Sequence, residues 1–131
     1  MTIAEVSEQF NISQDTLRYY EKIGLIPPVK RTGGGIRNYG ETDATWIEFI
    51  LRMRGAGLPI EVLIEYVRLA IQGDETIEAR KRILIEQRKQ LVARMKEMQK
   101  TIDKLNYKIE QYESTLLKKE KELIPSYQLG S

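Results

Sequence analysis

The sequence predicts a mainly α-helical chain: a small helix-turn-helix head followed by a long C-terminal coiled-coil helix. Two observations carry this. Residues 2–23 hold two short amphipathic segments separated only by Asn11-Ile12, the spacing of a helix, a tight turn and a second helix. Further on, Leu91, Met95, Met98, Ile102, Leu105, Ile109, Tyr112 and Leu116 follow alternating steps of four and three, which is the seam of a heptad repeat.

Taken in order, Thr2 with Glu5 fits a capping box, in which hydroxyl and carboxylate satisfy each other's backbone donors at a helix start. Ile3, Val6 and Phe10 then share one face. Ser13, Thr42 and Asp74 read as further N-caps. The second helix runs through Thr16-Leu-Arg-Tyr-Tyr-Glu21 and stops at Gly24. Pro27-Pro28 forbid its continuation. Val29 to Tyr39, with glycines at 33–35, reads as two short strands around a glycine turn. A phosphate-cradling loop is the competing reading, but the Gly-Lys-Ser/Thr ending it requires is missing.

From Thr42 to Arg54, Trp46, Ile47, Phe49, Ile50 and Met53 trace a helical face that ends at Gly55-Ala-Gly57. Trp46 is expected to pack in the interior rather than stack on a ligand, as aromatics at helical spacing usually do. Pro59 starts another helix over Ile60 to Ile71, with Val62, Leu63, Tyr66, Val67 and Ala70 facing inward. After a break at Gln72-Gly73, the heptads predict a helix from Glu75 to Lys121, about 70 Å long at 1.5 Å per residue. Leu84 and Ile77 extend the seam by sevens, with Lys81 and Arg88 interrupting it. A stripe of that length needs a partner helix, and a second copy of the chain is the economical one. Pro125 ends the helix, leaving a frayed tail in the span 122–131.

Composition narrows the function classes. The 131 residues include no Cys and no His, so thiolate and imidazole metal sites, disulfides and thiol sensing are not expected, and no cofactor is implied. No apolar run reaches the roughly 20 residues of a membrane helix, which favours a cytoplasmic protein with no membrane partner. The net charge of +2 does not by itself mark a nucleic-acid binder. Its distribution does more: Arg18, Lys22, Lys30, Arg31 and Arg37 face only Glu21 between residues 16 and 39. Arg18, on the second helix, sits where a major-groove helix reaches a phosphate or a guanine edge. Beyond residue 72 the charges interleave as on a solvated helix surface, and pairs such as Glu110 and Glu113 read as that surface rather than as acid-base catalysts. No enzyme is expected.

Thr16-Leu-Arg-Tyr-Tyr-Glu21, Gly24-Leu-Ile-Pro-Pro28, Gly35-Ile-Arg-Asn-Tyr39 and Gly57-Leu-Pro-Ile-Glu61, in that order, resemble the MerR-type bacterial transcriptional regulators over residues 2 to about 120. The resemblance implies a winged helix-turn-helix DNA-binding domain over 1–71, comprising a helix-turn-helix at 2–23, a β-wing at 29–39 and a helical wing at 42–71. It also implies an antiparallel dimerisation coiled coil over 74–121. Position by position, Arg18 and Tyr20 correspond to groove and phosphate contacts, Arg31, Arg37 and Tyr39 to the wing, and Arg54 to a phosphate contact near the helical wing. Lys30 lies in the same wing. Gln14 and Thr16, in the first turn of the recognition helix, are the candidates for base readout. Of Tyr19 and Tyr20, one is expected to pack against Leu17 and the other to keep its hydroxyl for DNA. The implied partners are promoter DNA, a second copy and, indirectly, RNA polymerase.

Regulators of this family typically realign promoter elements by bending and untwisting the spacer between them. Gly73-Asp-Glu-Thr-Ile-Glu-Ala-Arg80 and Leu105-Asn-Tyr-Lys-Ile109 look most like the subgroup associated with aldehyde and other thiol-reactive stresses. That subgroup commonly carries a cysteine in the helix before Gly-Leu-Pro-Ile. Arg52 stands at the corresponding position here, so the nucleophile of thiolate sensing is missing. A coiled-coil adaptor and an architectural DNA-binding protein without an effector are the alternative functions.

Overall fold

Thr2 opens the first helix, α1 (Ile3–Phe10), with the expected capping box: its hydroxyl accepts the Glu5 amide at 3.1 Å and the Glu5 carboxylate accepts the Thr2 amide at 3.0 Å. In this computed structural model, which describes residues 1–123, four further helices follow: α2 (Gln14–Lys22), α3 (Glu41–Gly55), α4 (Ile60–Gln72) and α5 (Ile77–Leu123). Asn11 ends α1 in the left-handed region at φ 51°, a conformation its short amide side chain tolerates. The chain thereby reverses within three residues, and Ser13 caps α2 by accepting the Thr16 amide at 3.0 Å. Gly24, at φ +81°, turns the chain out of α2, and the Leu25 amide returns to the Tyr20 carbonyl at 2.9 Å.

Three local expectations are corrected. The two wing strands reduce to a single antiparallel bridge between Arg31 and Arg37. The Thr32 amide meets the Ile36 carbonyl at 2.7 Å and the Asn38 amide the Lys30 carbonyl at 2.7 Å. Three glycines between the arms leave too few residues for a ladder, and a two-stranded ribbon this short has little independent stability. Thr42 does not cap α3. Gly40 does, its amide held by the Asp43 carboxylate at 2.8 Å. Asp74 likewise caps no α-helix, because residues Asp74–Thr76 form a 3-10 turn first. Thr76 is the residue that organises this junction: its hydroxyl lies 2.6 Å from the Leu69 carbonyl and 2.7 Å from that of Gly73, and it accepts from Arg80 Nε at 3.0 Å.

The chain divides into two compact units, Met1–Arg88 and the part from Lys89 onward. The first contains the core: Val6, Leu17, Leu25, Ile26, Val29, Tyr39, Ile47, Ile50, Leu58, Leu63 and Val67 are buried. Each helix contributes the face its periodicity marks, with Val6 from α1, Leu17 from α2, Ile47 and Ile50 from α3, and Leu63 and Val67 from α4. Trp46 is half-buried and makes edge-type contacts with Phe49 and Tyr66, with ring centroids 6.3 and 5.9 Å away. The second unit is the continuing α5, whose described apolar side chains are exposed. The expected tail, 122–131, lies outside the described residues from 124 on.

Candidate nucleic-acid interface

Leu17 is fully buried and anchors α2 against the core, which turns Arg18 and Tyr19 outward on the opposite side. Arg18 Nη1 lies 2.9 Å from Asp15 and Nη2 3.4 Å from the Gln14 side-chain oxygen. Exposed pairs of this kind contribute at most about 1 kcal/mol. The guanidinium can therefore exchange Asp15 for a phosphate at small cost. Thr16 shares its hydroxyl with Ser13 at 2.6 Å, so of the two base-readout candidates it is the one already engaged in a cap.

The two tyrosines differ in burial. Tyr19 is 49 % exposed, while Tyr20 is half-buried and packs against the core. Tyr39 is a departure. It is 1 % exposed, and its hydroxyl has no hydrogen-bond partner among the described residues. A side chain enclosed in this way offers nothing to a duplex, and burial raises its phenol pKa above the ordinary value. Its backbone instead ties the wing's end to the first residue: the Tyr39 amide donates to the Met1 carbonyl at 2.8 Å.

The wing cations occupy different settings. Lys30 and Arg31 are exposed, with Arg31 Nη1 bonded to the Gly35 carbonyl at 3.0 Å across the glycine tip. Arg37, paired with Arg31 across the bridge, is half-buried, and its Nε donates to Glu21 Oε1 at 2.6 Å. The other Glu21 oxygen accepts the Val29 amide at 2.9 Å. Burial pushes the Glu21 carboxyl up, but the Arg37 and Val29 hydrogen bonds and the Arg37 and Arg31 charges outweigh it and hold its pKa below the ordinary glutamate value. Glu21 is thus a functional candidate that sequence reasoning passed over. Its signal was present: a single acid among five cations. Arg54 donates to the Leu58 carbonyl at 2.8 Å and braces the turn between α3 and α4.

α2 and the wing are joined through Glu21, and together they present Gln14, Arg18, Tyr19, Lys30 and Arg31. Arginines and tyrosyl hydroxyls donate to phosphate oxygens and set register on a duplex. Among the described residues no group of three His, Cys, Asp or Glu side chains is placed to hold a metal ion, and no helix is long and apolar enough to cross a membrane.

Comparison with known proteins agrees with this geometry. The family pattern described as MerR HTH family regulatory protein matches residues 1–69, and that described as MerR, DNA binding matches residues 44–107. The HTH-type transcriptional regulator AdhR of Bacillus subtilis is 59 % identical over 92 residues, covering 70 % of this chain and 66 % of that relative, just under two thirds of its length. A MerR family transcriptional regulator from Listeria monocytogenes superimposes with a TM-score of 0.89 at 46 % identity, over 94 % of this chain and 93 % of the other. HiNmlR, described as a MerR family regulator lacking the sensor domain and solved bound to promoter DNA, gives a TM-score of 0.80 at 30 % identity, over 88 % and 92 % of the two chains. The chain belongs to the MerR family of helix-turn-helix transcriptional regulators.

Proposed function

We propose that the chain acts in the cytoplasm as a homodimer whose two heads bind the halves of a pseudo-palindromic promoter site and distort the spacer between them. The observation that carries this reading is the heptad stripe on α5. Leu84, Leu91, Met95, Met98, Ile102, Leu105, Ile109, Tyr112 and Leu116 are all 37 to 69 % exposed. Apolar side chains repeated at this spacing are the signature of a seam between helices, and the antiparallel arrangement follows the family resemblance. In this reading residues 1–71 bind DNA and 74–121 join the copies.

Within each head, Gln14 and Thr16 read bases, Arg18 and Tyr19 contact the groove and its phosphates, Lys30, Arg31 and Arg37 grip the flanking backbone, and Arg54 anchors near the helical wing. Holding a spacer bent and untwisted stores deformation energy that takes several backbone anchors per half-site. RNA polymerase is then affected through the DNA, by the alignment of promoter elements. The relatives are transcription regulators, and no catalytic role is assigned.

Sedimentation equilibrium of the wild-type chain and of Ile102→Glu tests the dimer. The wild type is expected as a dimer. The variant is expected as a monomer with promoter affinity lowered at least about a hundredfold, since each half-site loses its linked neighbour. A wild-type monomer with full affinity would contradict the proposal.

A further inference from the structure

Glu21 is an acid at the end of the recognition helix, among the cations that face DNA, where simple electrostatics makes it unfavourable for binding a polyanion. The geometry shows what else it does. One carboxylate oxygen takes Arg37 Nε at 2.6 Å and the other the Val29 amide at 2.9 Å, so a single side chain of α2 holds both the start and the far arm of the wing. The two contacts lie 8 and 16 residues away in sequence. Glu21 and Arg37 side chains are 13 % and 21 % exposed, which shields the pair from screening that would weaken a surface pair.

An arginine has five donors in a fixed plane. Using Nε on Glu21 fixes the plane of the guanidinium and leaves its terminal Nη groups for a second acceptor. Arg31, directly across the bridge, belongs to the same cluster, and its charge also bears on Glu21. We infer that Glu21 is a positioning residue for DNA binding. It acts through Arg37 and Val29 to fix the wing's offset from the recognition helix, so that the wing cations meet the flanking backbone when α2 sits in the groove. This rests on the wing reading above, in which Arg37 contacts phosphate.

Deleting an anion beside DNA ordinarily strengthens binding, whereas deleting this one is expected to weaken it. The test is fluorescence-anisotropy titration of a footprinted promoter duplex, at several KCl concentrations, with the full chain, Glu21→Gln, Arg37→Ala and the double variant. Glu21→Gln is expected to lower affinity about tenfold and to flatten the salt dependence by roughly one counterion per head. The double variant is expected to lose clearly less than the sum of the two single losses, because the Arg37 contact is shared between them. Arg37→Lys keeps the charge but has no planar fork to divide between carboxylate and phosphate, so it is expected to behave like Arg37→Ala. It serves as the second variant should Glu21→Gln fold poorly by circular dichroism.

Glu21→Gln binding as well as or better than wild type, with Arg37→Ala still impaired, overturns the inference alone. Additive losses in the double variant do the same, because they separate Glu21 from Arg37. Arg37→Ala leaving affinity and salt slope unchanged overturns the wing reading and the inference with it.

Discussion

The Tyr39 hydroxyl is enclosed without a hydrogen-bond partner among the described residues, and an unsatisfied buried hydroxyl lowers stability. Tyr39→Phe is therefore expected to raise stability by about 0.5 to 1 kcal/mol and to leave promoter affinity unchanged, as read by urea denaturation and a binding titration. A loss of affinity would mean that the wing opens on DNA and exposes this side chain. Glu21 gives a pH-dependent counterpart. Its folded pKa lies below the ordinary 4.5, so its contribution is fully present above that value and is lost as pH falls through the folded pKa. Glu21→Gln should cost about 1 to 2 kcal/mol at pH 7. The gap from wild type should close as thermal melts are taken to pH 4 and below, and a gap that persists unchanged would assign the cost to packing.

Among the elements, α2 and the junction between α4 and α5 bear the most weight. Leu17 is fully buried and holds the recognition helix at its angle, so Leu17→Ala is expected to cost about 3 kcal/mol from lost burial plus the cavity left behind. Thr76→Val keeps the shape of a buried side chain but removes the hydroxyl that serves Leu69, Gly73 and Arg80. A cost of about 1 to 2 kcal/mol is expected in chemical denaturation. How legible these elements were depends on the range of the interactions that set them. The Thr2 and Ser13 caps, the stop at Gly24 and the heptads are fixed by residues within a turn or two, and the sequence displays them. The enclosure of Tyr39 and the Glu21 latch depend on residues brought together from far along the chain, whereas the Gly40 cap, set by Asp43 three residues on, and the single wing bridge are local and were misread from residue type. A resemblance can place Tyr39 in the wing, but only packing tells which way its ring points.

At the scale of the molecule, we propose that a head with its cations gathered between residues 16 and 39 and an apolar helix stripe act together, with the stripe pairing two copies and each head gripping half a site. Binding to promoter DNA is expected to weaken steeply with salt, since every phosphate contact releases a counterion. The exchange of KCl for potassium glutamate should restore part of it. The most direct test is DNase footprinting of the DNA upstream of this protein's gene and its neighbours, with purified wild-type chain at two salt concentrations. One protected, pseudo-palindromic stretch between promoter elements is expected, symmetric about its centre and fading at the higher salt. No protection at low salt, or protection of a single unpaired half-site, would contradict the proposal.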